Sequence, residues 1–228
     1  MRAKPRRRRP SKMHDEVTEV RRRAGKLREI RTALGRRFLV LKGTPAERFL
    51  EEGRSIEPGD VEELETELAL PAGMAYAYRQ LTIRDRSEQE MRSSLGREGF
   101  ARPEIIEEIV TALKRQGYLD DRRLASGYIR YAMEHRPAGP HLLRRKLRQA
   151  GVTEEIIEDE IARALSSGYE ARTAERLARE KLRGESDRKK GARRMHGFLS
   201  RRGFSSSVVN DICARILQGK IGGENHEQ

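Results

Sequence analysis

The sequence contains one cysteine, no tryptophan and no long apolar run. A single thiol, Cys213, cannot form an internal disulfide or share a metal with a second thiolate, which favours a reducing compartment. It lies on the apolar stripe of a predicted helix, where we expect a buried packing role. No run approaches the roughly 18 residues of a membrane-spanning helix, and the basic start lacks the apolar segment of a secretory signal. These absences predict a cytoplasmic protein.

Hydrophobic residues are also scarce, which limits the thickness of any core. They make up 36% of the 228 residues, against 37% charged residues. A helix of this composition buries one apolar stripe and leaves a wide charged face in water. A chain of this length holds one repeat domain, or one domain with an appendage. We therefore expect thin, extended packing.

The groups that a catalytic or cofactor site would need are missing as well. No glycine-rich loop ends in Gly-Lys-Ser or Gly-Lys-Thr, the pattern that binds phosphate. The histidines show no metal-ligand spacing; they are His14, His135, His141, His196 and His226. His135 and His141 flank a turn formed by Pro137 and Gly139-Pro140, and we interpret them as loop residues. The sequence predicts a protein that is not an enzyme and needs no cofactor or metal.

Positive charge is concentrated at the start of the chain. Lys and Arg total 49 and Asp and Glu 36, a formal net charge of +13, and no acid precedes Asp15. The first twelve residues hold seven cations: Arg2, Lys4, Arg6, Arg7, Arg8, Arg9 and Lys12. We interpret residues 1–14 as a disordered basic arm for an anionic partner such as DNA or a protein–DNA complex. The alternative is a solvated leader that aids solubility.

Three glycines, Gly99, Gly151 and Gly203, follow one another at intervals of 52 residues. Apolar residues repeat in the same register around them: Met91, Leu143, Met195; Leu95, Leu147, Leu199; Phe100, Val152, Phe204; Ile105, Ile157, Val209; Ile109, Ile161, Cys213; Leu113, Leu165, Leu217. The spacing predicts a helical hairpin in each copy, with the glycine ending the first helix in a left-handed conformation. A further helix is predicted before each hairpin, at 75–84, 121–134 and 171–183.

The sequence thus predicts a mainly α fold of three tandem three-helix repeats. The predicted repeats span 71–117, 118–168 and 169–219, and a disordered tail follows at 220–228. One such unit has too little apolar area to outweigh its ordering entropy, so the repeats should stack into an elongated, curved array. An array of this kind suits a filament or another polymer as its partner.

Three sets of motifs lie in order within the repeats. They are Arg86-Ser87 with Glu90-Met91 ahead of Gly99; Gly117-Tyr118-Leu119-Asp120-Asp121 leading to Leu124-Ala125; and Gly139-Pro140 ahead of Leu143, Leu147 and Gly151. Together they resemble RecX, the bacterial regulator of the RecA recombinase, over residues 75–217. The chain departs from the family pattern at Leu124, where Phe is usual. It also departs in the third copy, where Gly168-Tyr169 is followed by Glu170-Ala171 instead of two aspartates.

The resemblance implies a protein that binds the helical groove of a RecA filament on single-stranded DNA without a cofactor. It would span neighbouring protomers, block filament growth, and lower ATP hydrolysis and strand exchange in recombination, DNA repair and the SOS response. We expect a monomer that also binds single-stranded DNA and, as a second expectation, duplex DNA. From the residues alone, a general DNA-binding repeat protein without a recombinase partner is the alternative. We interpret Tyr118 as an apolar plug and Asp120 and Asp121 as a helix cap, rather than as ligand contacts.

Residues 15–70 follow a different pattern. The segments 26–32, 36–42 and 47–51 mix apolar and polar residues between Gly35 and Gly43-Thr44-Pro45, which indicates short strands. Leu27, Ile30 and Leu34 would suit a helix equally well. The strand-forming start of longer RecX proteins favours a small β-meander. Pro58-Gly59-Asp60 predicts a turn and cap for a helix over 61–69.

Partner contacts are predicted on the arm and on the first helix of each hairpin, with the densest patch in the second copy. The candidate residues are Arg6, Arg7, Arg8, Arg9, Arg92, Arg97, Arg144, Arg145, Lys146, Arg148, Arg193, Arg194, Arg201 and Arg202. Stacking of the copies would align these cations in a basic stripe that could contact phosphate or an acidic protein surface. The alternative is that the cations only reflect the basic character of exposed helix faces in a charged protein. The next helices begin with acids, namely Glu104, Glu107, Glu108, Glu154, Glu155, Glu158 and Asp159. We attribute these acids to helix-dipole stabilisation, with contact to a basic partner as the alternative.

Overall fold

The computed structural model of the protein describes residues 15–165 and 168–221. The predicted basic arm, with Arg6 to Arg9, and most of the predicted tail lie outside these residues. The chain divides into two compact units. The first unit contains the residues up to Asp85 together with Glu90–Leu119, and the second contains Arg86–Gln89 together with the residues from Asp120 onward.

A small antiparallel sheet opens the first unit. Its strands are β1 (Asp15–Arg22), β2 (Leu27–Thr32), β3 (Arg37–Leu41) and β4 (Ser55–Ile56), in the order β3-β2-β1-β4. The sheet closes over a core that includes Val17, Ile30, Val40 and Phe49. The β-meander is confirmed at β2 and β3, which pair in antiparallel register from Leu27 opposite Leu41 to Arg31 opposite Arg37.

Two parts of this segment differ from the prediction. The expected strand at 47–51 is wrong, because Pro45 starts a 3-10 helix over Pro45–Phe49 that buries Phe49 completely. Strand β1 has the sequence DEVTEVRR, which is too charged to show an apolar alternation. The strand forms because Val17 packs into the core beneath the sheet and because the backbone of β1 pairs with both β2 and β4.

Helix α1 (Pro58–Glu65) begins earlier than predicted and ends at Glu65 rather than at 69. Its N-cap is Glu57, and Asp60 accepts a hydrogen bond from the Glu57 amide at 2.9 Å, which completes a capping box. Pro58 occupies the first turn, where a missing N–H does no harm.

The first copy consists of α2 (Ala69–Ile83), α3 (Glu88–Glu98) and α4 (Pro103–Arg115). Helix α2 starts six residues before the predicted 75, because Ala69, Ala72 and Gly73 extend its buried face. Met91, Leu95, Ile109 and Leu113 are fully buried, as the repeat predicts. Leu27 and Leu39 of the sheet complete the same core, so the strands and the first copy stabilise one another within the first unit.

The second and third copies, together with Arg86–Gln89, make up the second unit. They consist of α5 (Asp121–His135), α6 (Pro140–Gln149), α7 (Glu154–Ala164), α8 (Tyr169–Lys181), α9 (Arg188–Arg201) and α10 (Ser206–Leu217). Each copy has its own apolar core, around Leu143 and Ile157 in one and around Met195 and Ile212 in the other. Gly99, Gly151 and Gly203 have φ values of 114°, 79° and 76°, the left-handed conformation that the spacing predicts.

The last apolar columns are partly wrong in the third copy. Helix α10 buries Val209, Ile212 and Ile216, whereas Cys213 is half-buried and Leu217 is 49% exposed. The helix therefore follows an i, i+3, i+7 stripe, which places two isoleucines in the core. Cys213 packs against that core and its thiol donates to the Ala192 carbonyl at 3.5 Å, while burial raises its pKa. Its packing role is thus confirmed, at the margin of the core.

The residues before α5 divide their roles differently from the prediction. Tyr118 is 52% exposed, so it is not an apolar plug, and its ring lies edge-on to Tyr78 at 5.3 Å. Leu119, which has no polar atom to satisfy, is the residue that is buried, at 3% exposure. The cap is confirmed for Asp120, whose carboxylate accepts from the Arg123 amide at 3.0 Å. The Asp121 carboxylate instead accepts from the Glu88 amide at 2.9 Å, where α3 begins.

Candidate functional site

Helix α6 carries the basic patch that the sequence places in the second copy. Leu143 and Leu147 face the core and are at most 2% exposed. The remaining faces hold Arg144, Arg145, Lys146 and Arg148, and the helix contains no acidic residue. The apolar stripe therefore fixes the orientation of the helix and leaves the cations around its outer side.

Two of these arginines are already engaged by carboxylates of α7. Arg144 binds Glu158 through two hydrogen bonds of 2.6 and 2.8 Å, and Arg148 binds Glu154 through two of 2.7 and 2.5 Å. These hydrogen bonds lower the pKa of both Glu158 and Glu154, since they favour the ionised carboxylate. The acids at the start of α7 thus do more than stabilise a helix dipole, because they neutralise half of the basic patch.

Arg145 and Lys146 differ from these two arginines. Both side chains are exposed, and neither forms an ion pair or a side-chain hydrogen bond with any residue that the structure describes. Their charge is available to an external anion.

The equivalent helix of the third copy, α9, is more basic than the sequence analysis recognised. Asp187 caps it by accepting from the Lys190 amide at 3.0 Å, so Arg188, Lys189 and Lys190 form its first turn. These three cations were missed because the 52-residue comparison aligned the glycine-ended part of the helix and not its start. The helix holds six Lys and Arg residues and no acid.

The predicted cations of α9 fall into two groups. Arg193 and Arg201 are exposed and form no ion pair within the described residues. Arg194 contacts Glu185 at 3.3 Å and the Lys181 carbonyl. Arg202, at the helix end, donates to the Pro137 carbonyl at 3.0 Å and lies 5.4 Å from the centre of the Phe198 ring. It therefore has a structural role between the second and third copies.

Helices α9 and α6 meet end to end within the second unit. The Gly139 amide donates to the Arg202 carbonyl at 2.9 Å, and the His141 amide donates to the Gly203 carbonyl at 3.1 Å. The last carbonyls of α9 thereby satisfy the first amides of α6, with the negative end of one helix dipole against the positive end of the other. Two acid-free helices thus meet at one junction. We call their outer faces together the α9–α6 surface.

The backbones at this junction approach so closely that Gly139 and Gly203 have no room for a side chain. A Cβ on Gly139 would lie 2.2 Å from the Gly203 carbonyl oxygen, and a Cβ on Gly203 would lie 2.2 Å from the Leu142 backbone nitrogen. No real Cβ tolerates such a contact, so the end-to-end arrangement depends on both glycines.

The two candidates of the first copy differ in how far their charge is engaged. Arg92 is half-buried and binds Glu107 through hydrogen bonds of 2.7 and 3.0 Å, which lower the pKa of Glu107. The Arg97 side chain is exposed, and its backbone carbonyl accepts from Arg37 Nη2 at 3.2 Å. Arg6, Arg7, Arg8 and Arg9 lie outside the described residues.

Within the described ranges, 15–165 and 168–221, no group of three or more His, Cys, Asp or Glu side chains could hold a metal ion. Over the same ranges, no helix combines the length and the apolar character needed to cross a membrane.

Two family models match the first and second copies of the repeat. The model described as the first three-helix domain of RecX matches residues 74–113, and the second three-helix domain matches residues 120–160. The "Regulatory protein RecX" of Mycobacterium sp. (strain JLS) is 34% identical over 152 residues, which cover 64% of this chain and 82% of the relative.

The chain belongs to the RecX family. The protein of the same name from Prosthecochloris aestuarii is 31% identical over 153 residues, 67% of this chain and 96% of that relative. The resemblance drawn from the repeat and its motifs is thereby confirmed, and RecX proteins are regulatory proteins by name.

Two solved structures share the fold. A crystal structure of regulatory protein RecX covers 86% of this chain and 98% of its own length, with a TM-score of 0.57 and 23% sequence identity. The crystal structure of RecX from Lactobacillus salivarius covers 64% of this chain and 96% of its own, with a TM-score of 0.53 and 21% identity.

Proposed function

We propose that the chain is a regulator that binds RecA recombinase filaments on single-stranded DNA and inhibits them. In this account it lowers RecA ATP hydrolysis, strand exchange and filament growth during recombination and DNA repair. Membership of the RecX family, whose members are named as regulatory proteins, supports this proposal. The observation that carries it is the α9–α6 surface, where two acid-free helices meet through backbone hydrogen bonds.

The length of this surface suits a polymeric partner. Helices α9 and α6 contain 14 and 10 residues, which correspond to lengths of about 21 and 15 Å at roughly 1.5 Å per residue. A surface of that extent can contact several repeating units of a nucleoprotein filament, so individually weak contacts add up. The chain acts by binding in this proposal, as a monomer and without a cofactor.

The proposal is tested by RecA ATPase on single-stranded DNA, titrated with the full-length chain. The salt concentration should be high enough to suppress the chain's own binding to bare DNA, because such binding is strongly salt-dependent. We expect hydrolysis to fall as the chain approaches stoichiometry with RecA. Unchanged hydrolysis throughout the titration contradicts the proposal.

The second candidate function is general DNA binding without a recombinase partner, and the basic arm favours it. Deletion of residues 1–12 removes seven cations and should weaken binding to bare DNA, with a shallower salt dependence. If the chain is a filament regulator, ATPase inhibition should suffer much less from the same deletion. Equal losses in the two assays would assign the main contact to the arm and favour the general DNA-binding function.

A further inference from the structure

Helix α5 exposes two aromatic rings at its C-terminal end. Tyr131 is 53% exposed and the His135 side chain is 59% exposed. Their ring centres lie 4.8 Å apart with an angle of 51° between the ring planes. Tyr128, 37% exposed, precedes them at the same helical spacing of three to four residues. The three rings therefore lie on one face of the helix.

This face has no role in the core. Helix α5 packs inward through Ala125, Ile129 and Ala132, which are at most 5% exposed. The exposed part of an aromatic ring contributes nothing to the hydrophobic stabilisation of the fold, and aromatic side chains are enriched where proteins contact partners. The fold accounts for the alanines and Ile129, but it does not account for Tyr131.

The aromatic pair lies beside the α9–α6 junction. Only Arg136 separates His135 from Pro137, whose carbonyl accepts the hydrogen bond from Arg202 at the end of α9. Helix α6 then begins at Pro140, five residues after His135.

Two exposed arginines are next in sequence to the pair and to the junction, since Arg136 follows His135 and Arg201 precedes Arg202. Arg136 and Arg201 are exposed and form no ion pair with the residues described in the structure. One carboxylate, that of Glu134, lies 3.7 Å from His135 Nε2. Exposed rings and available cations thus lie within a few residues of the junction between the two basic helices.

We propose that Tyr131 and His135 form a stacking site for unpaired nucleobases of a single DNA strand, whose phosphates are neutralised by cations of the α9–α6 surface. This inference deepens the proposed function, because it gives the chain its own contact with the single strand. Single-stranded binding sites combine a basic track with aromatic rings on which bases stack, and every base offers a π-face. A duplex does not fit the pair, because its bases are already stacked and paired.

The first test compares two oligonucleotides of equal length and charge, one of thymidines and one of abasic nucleotides. We expect fluorescence anisotropy to show tighter binding to the thymidine strand by at least about fivefold, the lower end of one stacked base. Tyr131→Ala and His135→Ala should reduce this difference, whereas Tyr131→Phe, which retains the ring, should preserve it. Equal binding of both strands by the unmodified chain would overturn the proposal.

The second test uses the absence of tryptophan from the sequence. Tyr131→Trp introduces a single tryptophan, which can be excited selectively, at the proposed site, and Tyr118→Trp places one at a site of nearly equal exposure, 52% against 53%. The thymidine strand should quench the emission of Tyr131→Trp, and the abasic strand should not. Quenching of Tyr118→Trp should be weaker. Equal quenching of both variants, or equal quenching by a duplex, contradicts stacking at this site.

The outcome can be separated from the proposed function by the RecA ATPase assay. If Tyr131→Trp reports no stacking while the chain still inhibits RecA, the stacking site is refuted and the regulatory function stands. If inhibition is absent but the quenching is observed, the chain binds single strands without regulating the recombinase.

Discussion

Helices α6 and α9 are equivalent helices of the second and third copies, but they differ in whether the following helix supplies carboxylates that bind their cations. Both lack acidic residues. Arg144 and Arg148 of α6 are bound by carboxylates of the helix that follows it. Helix α10, which follows α9, begins with two serines, and its one acid, Asp211, contacts Arg215 of the same helix. The third copy also lacks an arginine equivalent to Arg144, because His196 of α9 occupies the position 52 residues later.

The comparison shows that the number of cations on a helix is a poor measure of its charge toward a partner. An arginine held by a bidentate carboxylate is close to neutral to an approaching phosphate, which must compete with a partner already in place. The α9 end of the α9–α6 surface should therefore contribute more to anion binding than the α6 end, although the sequence suggests the reverse.

The largest effect is expected from breaking the junction between the two helices. Gly203→Ala forces a side chain into the left-handed region and against the Leu142 backbone. We expect it to lower the free energy of unfolding by about 2–4 kcal/mol, measured by urea denaturation. Gly127→Ala is the matched control, since its Cβ would meet no atom within 4 Å and alanine favours a helix by roughly 0.5–1 kcal/mol. Similar effects of the two substitutions on the free energy of unfolding would mean that the junction tolerates a Cβ at Gly203.

The next effect tests the two helices against each other. Replacing Lys189, Arg193 and Arg201 by alanine removes three cations that have no ion pair among the described residues. The plot of log affinity for single-stranded DNA against log salt should become shallower by about 2, at roughly 0.7 per phosphate contact. The matched control replaces Arg144, Arg148, Glu154 and Glu158 by glutamine, which leaves the net charge unchanged. If the control flattens the salt dependence equally, paired and available arginines are equivalent.

A smaller effect, of opposite sign, should follow when the carboxylates alone are removed. Glu154→Gln with Glu158→Gln frees Arg144 and Arg148 and should raise affinity for single-stranded DNA severalfold, with a salt slope steeper by about 1.4. The exposed Glu155 has no ion pair with a described residue, so Glu155→Gln removes one charge without freeing an arginine. We expect Glu155→Gln to raise affinity less and to leave the slope nearly unchanged. Unchanged binding by the double variant would refute competition between carboxylate and phosphate.

The smallest effect concerns stability and pH. The hydrogen bonds from Arg144 hold the pKa of Glu158 below its ordinary range. The pair therefore stabilises the fold at and above the unfolded pKa, and this contribution is lost as the pH falls through the folded pKa. Since the pair is partly exposed, with side-chain exposures of 26% for Arg144 and 47% for Glu158, Glu158→Gln should lower the Tm by no more than about 2 °C at neutral pH. The two melting temperatures should converge in acid, and a difference that widens there would contradict the assignment.

Much of the fold could be predicted from the sequence, because its periodic features are local. The 52-residue glycine spacing, the apolar columns and the cap at Asp120 each follow from backbone geometry. The failures have non-local causes. Strand β1 is stabilised by its neighbours and not by its own pattern, Tyr118 yields its place in the core to Leu119, and α10 selects Ile212 over Cys213 through contacts with α8 and α9.

The candidate site could be predicted only in part. Composition correctly indicated basic helices, but the pairing of Arg144 and Arg148 with the acids of α7 depends on how two antiparallel helices face each other. The end-to-end meeting of α9 and α6 joins residues about 65 positions apart in the chain, such as Pro137 and Arg202. No spacing rule reveals that contact, although the two glycines on either side of it are visible in the sequence.

The most direct measurement is a cryo-electron microscopy structure of the full chain on a RecA filament assembled on single-stranded DNA. The account predicts that the α9–α6 surface is buried against the filament, with Lys189, Arg193 and Arg201 in contact with it. A chain bound with this surface facing solvent, or bound only through residues 1–14, would contradict it.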